Sequence, residues 1–225
     1  MTTLLRENVP WNPVKDFAPI ALAVSAPNIV VVHPSPPVKS IKDLVALAKA
    51  KPGVLNYASG ATGATSHLAP ELFKAMAGIN IVHIPYKGAG AALNGLMGTH
   101  VQVMFPTAGS VIPHVKAGRL RALAVTGAQP PALAPGVPTV AASGLPGYES
   151  VAPYGVMAPA RTPHALINRL NKEIVHVLGK SDVQERFFSV GVEVVGSSPE
   201  QLGQTIKSDM EKWGKVIKDA GIRGG

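Results

Sequence analysis

The sequence predicts an α/β protein, and three observations carry the prediction. Short β-branched runs alternate with amphipathic stretches between Asn28 and Thr126, a pattern that builds a mostly parallel sheet covered on both faces. Hydrophobic residues make up 46% of the 225 positions and charged residues 15%, the balance of a chain that buries a core. No apolar run reaches the ~18 residues of a membrane helix, because Pro, Gly or a charge interrupts each candidate. The length accommodates one large domain or two lobes.

The elements follow in order. Asn28 to His33, bounded by Pro27 and Pro34, reads as a buried strand. Ser40 with Asp43 three residues on caps a helix that ends at Lys51-Pro52-Gly53. Val54–Ala58, Ile79–Pro85, Val101–Phe105 and Leu120–Thr126 read as strands; His67–Ala77, Ala89–Met97 and Gly109–Ala117 read as the helices between them. Pro70 lacks an N–H and fits easily only in a first turn, so the helix containing it is expected to begin near His67. Gly127 to Gly147, with five prolines and four glycines, reads as an extended connection. Beyond it come a strand at Tyr154–Met157, a helix opened by Thr162-Pro163 with Leu166, Leu170, Ile174 and Val177 on one face, and a shorter helix at Ser181–Val190. The final helix has Ser198 as N-cap, Pro199 first, Gln201 closing a capping box, an apolar face of Leu202, Ile206, Trp213, Ile217 and Ala220, and Gly221 past its end.

Between Asp43 and Glu149 the only acid is Glu71, facing seven cations: Lys49, Lys51, Lys74, Lys87, Lys116, Arg119 and Arg121. This net of +6 out of +8 suits an anionic metabolite or acidic partner. Nucleic acid is disfavoured, since the charges are scattered and aromatics are 5%. The absence of cysteine excludes disulfides and thiolate metal sites. Met1 to Pro10 contains Arg6 and Glu7 and no apolar core, so no signal peptide is read there.

Two strand-to-helix loops are suited to an anion. Ser59-Gly60-Ala61-Thr62-Gly63-Ala64-Thr65-Ser66 is small and hydroxyl-rich and precedes a helix, whose positive end attracts a carboxylate or phosphate. Ordinary capping by Thr65 or Ser66 explains the same composition equally well. Tyr86-Lys87-Gly88 adds a cation, a phenol and a glycine. Because strands of an open parallel sheet end at one crevice, the two loops are expected to converge. Gly88 and Gly90 do not make a dinucleotide fingerprint: Leu93 stands at the third glycine position and no acid follows before Glu149. The seven histidines show no i, i+4 pair, Ser66 and His67 point apart on a helix, and no paired carboxylates are spaced for acid–base work. No enzyme and no cofactor are predicted.

The order of several motifs resembles the solute receptors of tripartite tricarboxylate transport systems, the Bug family, over essentially the whole chain. The stretches are Asn12-Pro13-Val14-Lys15-Asp16-Phe17-Ala18-Pro19, Asn56-Tyr57-Ala58-Ser59-Gly60 with Ser66-His67-Leu68-Ala69, and Val82-His83-Ile84-Pro85-Tyr86-Lys87-Gly88. They continue with Gly118 to Thr126, Val137-Pro138-Thr139-Val140, Gly144 to Tyr148 and Lys212-Trp213-Gly214. The resemblance implies a two-lobed periplasmic-binding-protein fold of the type II, Venus-flytrap kind, with residues 1–28 a remnant of lobe 1, 29–152 lobe 2 and 153–225 the return to lobe 1. It implies a periplasmic protein that closes on a small carboxylate and presents it to a membrane permease. Ser59, Gly60, Ala61, Thr62, Gly63, Thr65, Ser66, Tyr86, Lys87 and Gly88 match the family's cleft-lining loops; Thr107 follows the next strand, and Tyr154 matches an aromatic at the return to lobe 1. The front of lobe 1 has no counterpart here, so lobe 1 is expected to be incomplete and the chain to form a homodimer through it. The alternative reading is a non-binding fragment that acts only as a self-associating or interaction module. Pro106 stands where many relatives carry Asp.

Overall fold

In the computed structural model, residues 2–5, 9–129 and 134–223 are described. Arg6, Glu7 and the Pro130 to Leu133 part of the extended connection lie outside the described residues. The chain divides into two compact units, Met1–Ala26 with Ala152–Gly225 (unit 1) and Pro27–Val151 (unit 2).

Unit 1 opens with a short helix α1 (Thr2–Leu5) and strand β1 (Phe17–Pro27). Trp11 packs edge-on against Phe17 with centroids 5.9 Å apart.

Unit 2 contains β2 (Ile29–Val32), α2 (Ile41–Ala50), β3 (Asn56–Ser59), α3 (Thr65–Ala77), β4 (Val82–Pro85), α4 (Ala89–Met97), β5 (Val103–Met104), α5 (Ala108–Lys116) and β6 (Arg121–Val125). The five strands lie in the order β4-β3-β5-β2-β6. β3 runs parallel to β4 and β5, whereas β2 runs antiparallel to both β5 and β6. Four strands therefore share one direction and β2 is reversed. It begins at the edge where the others end. The β-branched run of β2 is buried on both faces, and the period of two divides it. Val30 and Val32 join a cluster with Ile41, Leu44, Phe73 and Phe105 under α2 and α3; Ile29 and Val31 join one with Leu96, Met104 and Val111 under α4 and α5. The sheet is thus covered on both faces, as its alternating sequence predicts.

Helix α3 begins at Thr65, two residues before the expected start, and Pro70 is its sixth residue. The turn at Ala61 to Ala64 fixes that start, closed by the Ala64 N–H on the Ala61 carbonyl at 3.3 Å. Pro70 consequently has no N–H for the Ser66 carbonyl, and its ring is buried.

Unit 1 resumes with β7 (Val151–Pro159), α6 (His164–Leu178), α7 (Ser181–Ser189), β8 (Glu193–Val194) and α8 (Pro199–Asp219). Its three strands lie in the order β7-β1-β8. The α8 capping box is formed as predicted, Ser198 accepting from the Gln201 N–H and the Gln201 side chain from the Ser198 N–H. Leu202, Trp213, Val216 and Ile217 are buried, Ile206 half-buried and Ala220 exposed at the C-cap.

The face predicted for α6 is not the one it buries. Leu166, Leu170 and Val177 are exposed, while Ile167 and Leu178 are buried. Asn171 lies on the docked face and donates from Nδ2 to the carbonyls of Ile20 at 2.7 Å and Ser197 at 2.9 Å. Satisfying two buried carbonyls sets the helix's rotation against the leucine stripe. Ile174, Val177, Val183, Phe187 and Val190 then line an open groove of about 680 Å³ between α6 and α7. Among the described residues, no helix is long and apolar enough to cross a membrane.

Candidate functional site

Strands β4, β3 and β5 are adjacent and parallel, so their carboxyl ends deliver three loops to one edge of the unit 2 sheet. The Ser59–Ser66 loop follows β3, Tyr86-Lys87-Gly88 follows β4, and Thr107 follows β5. The first two loops are joined directly: the Tyr86 N–H donates to the Ser59 carbonyl and the Gly88 N–H to the Gly60 carbonyl, both at 2.9 Å. A Cβ at Gly60 would stand 2.7 Å from the Ala89 nitrogen, so only glycine allows the two backbones this approach. Gly63 occupies the left-handed region at φ +77 in the turn.

Each loop leads into a helix whose N-terminus lacks a side-chain cap. The N-cap positions are Ala64 for α3, Gly88 for α4 and Thr107 for α5, and none makes a side-chain bond to a first-turn amide. Thr107 instead donates from Oγ1 to the Ser110 hydroxyl. Capping by Thr65 or Ser66 is thereby ruled out, since both lie inside α3. By contrast α2, which follows the reversed β2, is capped by Ser40. Uncapped first-turn amides and the helix dipole leave partial positive charge at this edge, and exposed Lys87 adds a full one.

The predicted residues separate by orientation. Ala61 and Thr62 are exposed at the loop tip, and Thr65 and Ser66 are partly exposed. Ser59 is fully buried and its hydroxyl is bonded to His83 Nε2 at 2.6 Å, so it shapes the loop and presents no hydroxyl outward. The Gly63 N–H is likewise spent on His67 Nδ1 at 3.1 Å. The Tyr86 ring packs against α4, where a Cβ at Gly95 would overlap its phenol. Tyr154 is on β7 in unit 1, with 52% of its surface exposed.

His67 and His83 are the residues that sequence reasoning missed. Their rings stack at 3.9 Å between centroids, and His83 also stacks on Tyr57 at 4.9 Å. Burial pushes the His83 imidazole down to about 4, with the neighbouring His67 adding to the effect. Burial also lowers His67, against the pull of Glu71 and with the push of Lys74. Glu71, the lone acid of the basic segment, accepts from the Tyr57 hydroxyl and pairs with Lys74 at 2.8 Å. Burial, with Glu71 adding to it, drives the Tyr57 phenol far above its ordinary value. Among the described residues, no group of three or more His, Asp or Glu is placed to hold a metal.

A family model described as the tripartite tricarboxylate transporter family receptor matches residues 2–222. The chain belongs to that receptor family. It is 37% identical over 210 residues to a Pseudomonas protein, the UPF0065 protein in the tcbD-tcbE intergenic region, covering 93% of this chain and 62% of the relative. It is 32% identical over 219 residues to the protein BugT of Bordetella pertussis, covering 97% and 67% respectively. The solved structure of R. palustris Rpa4515 with adipate is similar with a TM-score of 0.87 and 34% identity, covering 99% of this chain and 74% of that one. The chain thus spans 62% of the length of the Pseudomonas relative. The receptor family's fold is the two-lobed α/β periplasmic-binding-protein type that the resemblance implied, and its members are solute-binding receptors, not enzymes.

Proposed function

We propose that this chain is a periplasmic receptor that holds a small organic carboxylate at the carboxyl edge of the unit 2 sheet and delivers it to a membrane permease. The observation that carries the reading is the set of three adjacent, uncapped helix N-termini beside Lys87. The amides of Thr65 and Ser66, at the first two positions of α3, donate to one carboxylate oxygen, with the Thr65 and Ser66 hydroxyls beside them. Amides at the start of α4 and the Lys87 ammonium face the remaining negative charge. Each charge-assisted hydrogen bond contributes roughly 1.5–3 kcal/mol, and each helix terminus about 0.3–1 kcal/mol. The adipate carried by the R. palustris relative supports a carboxylate as the ligand class, and family membership supports delivery to a permease.

A thermal-shift screen with mono-, di- and tricarboxylates tests the reading. A ligand at 100 times its Kd stabilises by about 2.7 kcal/mol. Thr65→Pro removes one amide donor at the first helical position, where proline is tolerated, and Ala64 already has the extended backbone (φ −68, ψ 162) that precedes a proline. This variant is expected to fold normally and to bind at least about tenfold more weakly, the equivalent of one such bond. Absence of any carboxylate-induced shift, or full affinity in Thr65→Pro, would refute the assignment.

A second reading, self-association, is favoured by the open apolar groove between α6 and α7. Light scattering decides it: a dimer that Phe187→Ser converts to monomer supports the groove as the contact, and a monomer at all concentrations rejects it.

A further inference from the structure

The Ser59–Ser66 loop is tied at two points to the stacked histidines beneath it. His83 of β4 holds the loop's first residue through Ser59 Oγ, and His67 of α3 holds its left-handed glycine through the Gly63 N–H. We propose that His67 and His83 are positioning residues: as neutral stacked imidazoles they hold this loop in the shape that aims the α3 N-terminus at a ligand, and acid releases its Gly63 tie.

The direction of the Gly63 bond makes the argument. A backbone N–H only donates, so His67 Nδ1 carries a lone pair and its proton sits on Nε2. Protonating Nδ1 sets one N–H against another and the bond is lost. A second proton on His83 then places like charges at a ring separation of 3.9 Å. The groups around the pair compensate only in part. Tyr57 of β3 faces both rings, and its hydroxyl is committed to Glu71. Glu71 on α3 attracts an imidazolium but already pairs with Lys74, whose own charge opposes one. Both imidazoles have folded values below the ordinary 6.5, His83 at about 4. The sign follows from that depression: the Gly63 tie is fully present above pH 6.5 and is lost as the pH falls below that through the lowered folded value of His67.

The inference takes its ligand from the receptor reading, but the loop's anchorage is measured without ligand. His67→Phe keeps a flat ring in the stack and removes the acceptor; His67→Asn sets an amide oxygen close to where Nδ1 stands. Exchange of the Gly63 amide, followed by NMR on the ligand-free full chain, is expected to rise about tenfold in His67→Phe and to stay within about threefold of wild type in His67→Asn. Adipate affinity measured by calorimetry should fall and recover in the same order. Protection of the Gly63 amide in wild type should decline below pH 6.5, and His67→Asn should abolish that decline. Unchanged protection in His67→Phe, or an Asn variant that behaves like the Phe variant, overturns the proposal. If wild type binds no carboxylate, the receptor reading fails and the amide data still decide this one. If adipate binds equally well to all three proteins, the positioning role fails and the receptor reading stands.

Discussion

Unit 2 and unit 1 solve the same packing problem differently. In unit 2 the sheet is sandwiched, and α2, α3, α4 and α5 each bury residues in one of two clusters. In unit 1, α6 buries Ile167 and Leu178, and α7 buries no residue. A helix facing a covered sheet is held by area; α6, with two buried residues, leans on the Asn171 hydrogen bonds, and α8 joins its capping box to the burial of Leu202, Trp213, Val216 and Ile217. The proposed site lies in the better-packed unit, where the three helices that present their N-termini, α3, α4 and α5, are each seated on one of the two clusters.

The largest expected effect contrasts two phenylalanines. Phe105 is fully buried and meets Phe73 edge-on with centroids 5.6 Å apart, so Phe105→Ala should cost about 3–5 kcal/mol. Phe188 of α7 is 46% exposed, and Phe188→Ala should stay within about 0.5 kcal/mol. Urea unfolding measures both, and similar losses would erase the contrast between the units.

Next comes Gly60→Ala, whose Cβ must push the Gly88-Ala89 backbone away from the β3 loop. Overpacking of this kind costs about 1–3 kcal/mol, and adipate affinity should fall with it because the two loops separate. Unaltered affinity would show that their junction is irrelevant to binding.

The third test concerns local signals. Ser198→Ala deletes the α8 cap, at a cost of about 1 kcal/mol, read as a lower melting temperature. Because unit 1 has less buried area to fall back on, the loss should exceed that of Ser40→Ala on α2. The reverse order would mean that unit 1 is the more robust of the two.

The smallest effect is expected on the exposed stripe of α6. Leu170→Ser should change stability by less than about 0.5 kcal/mol. A large loss would show that the stripe is buried in solution.

Much of this was legible in the residues. The bounds of α4 were read as observed, the α8 box followed from Ser198 and Gln201, and the two anion-suited loops do adjoin. Three features were not, each because its cause lies elsewhere in the chain. Nothing within Ile29–Val32 states that β2 runs against its neighbours; direction is set by where the chain enters the sheet. The rotation of α6 depends on what Asn171 meets at Ile20 and Ser197, which outweighs its own periodicity. His67 and His83 are an ordinary pair of histidines until β3 and β4 align Tyr57 with His83 and α3 lays His67 on top. Ser59, by the same packing, turned from ligand candidate to anchor.

The two tryptophans of the chain, half-exposed Trp11 and buried Trp213, both belong to unit 1. Indole emission is therefore an optical probe of one unit alone, while Tyr57, Tyr86 and Tyr148 belong to the other. Red-edge excitation will follow the loss of α8 packing around Trp213 and pass over the melting of the sheet that carries the proposed site. Paired with far-ultraviolet dichroism, which sums both units, it separates their transitions without a label: coincident curves mean one cooperative molecule, and an early indole transition means that unit 1 lets go first.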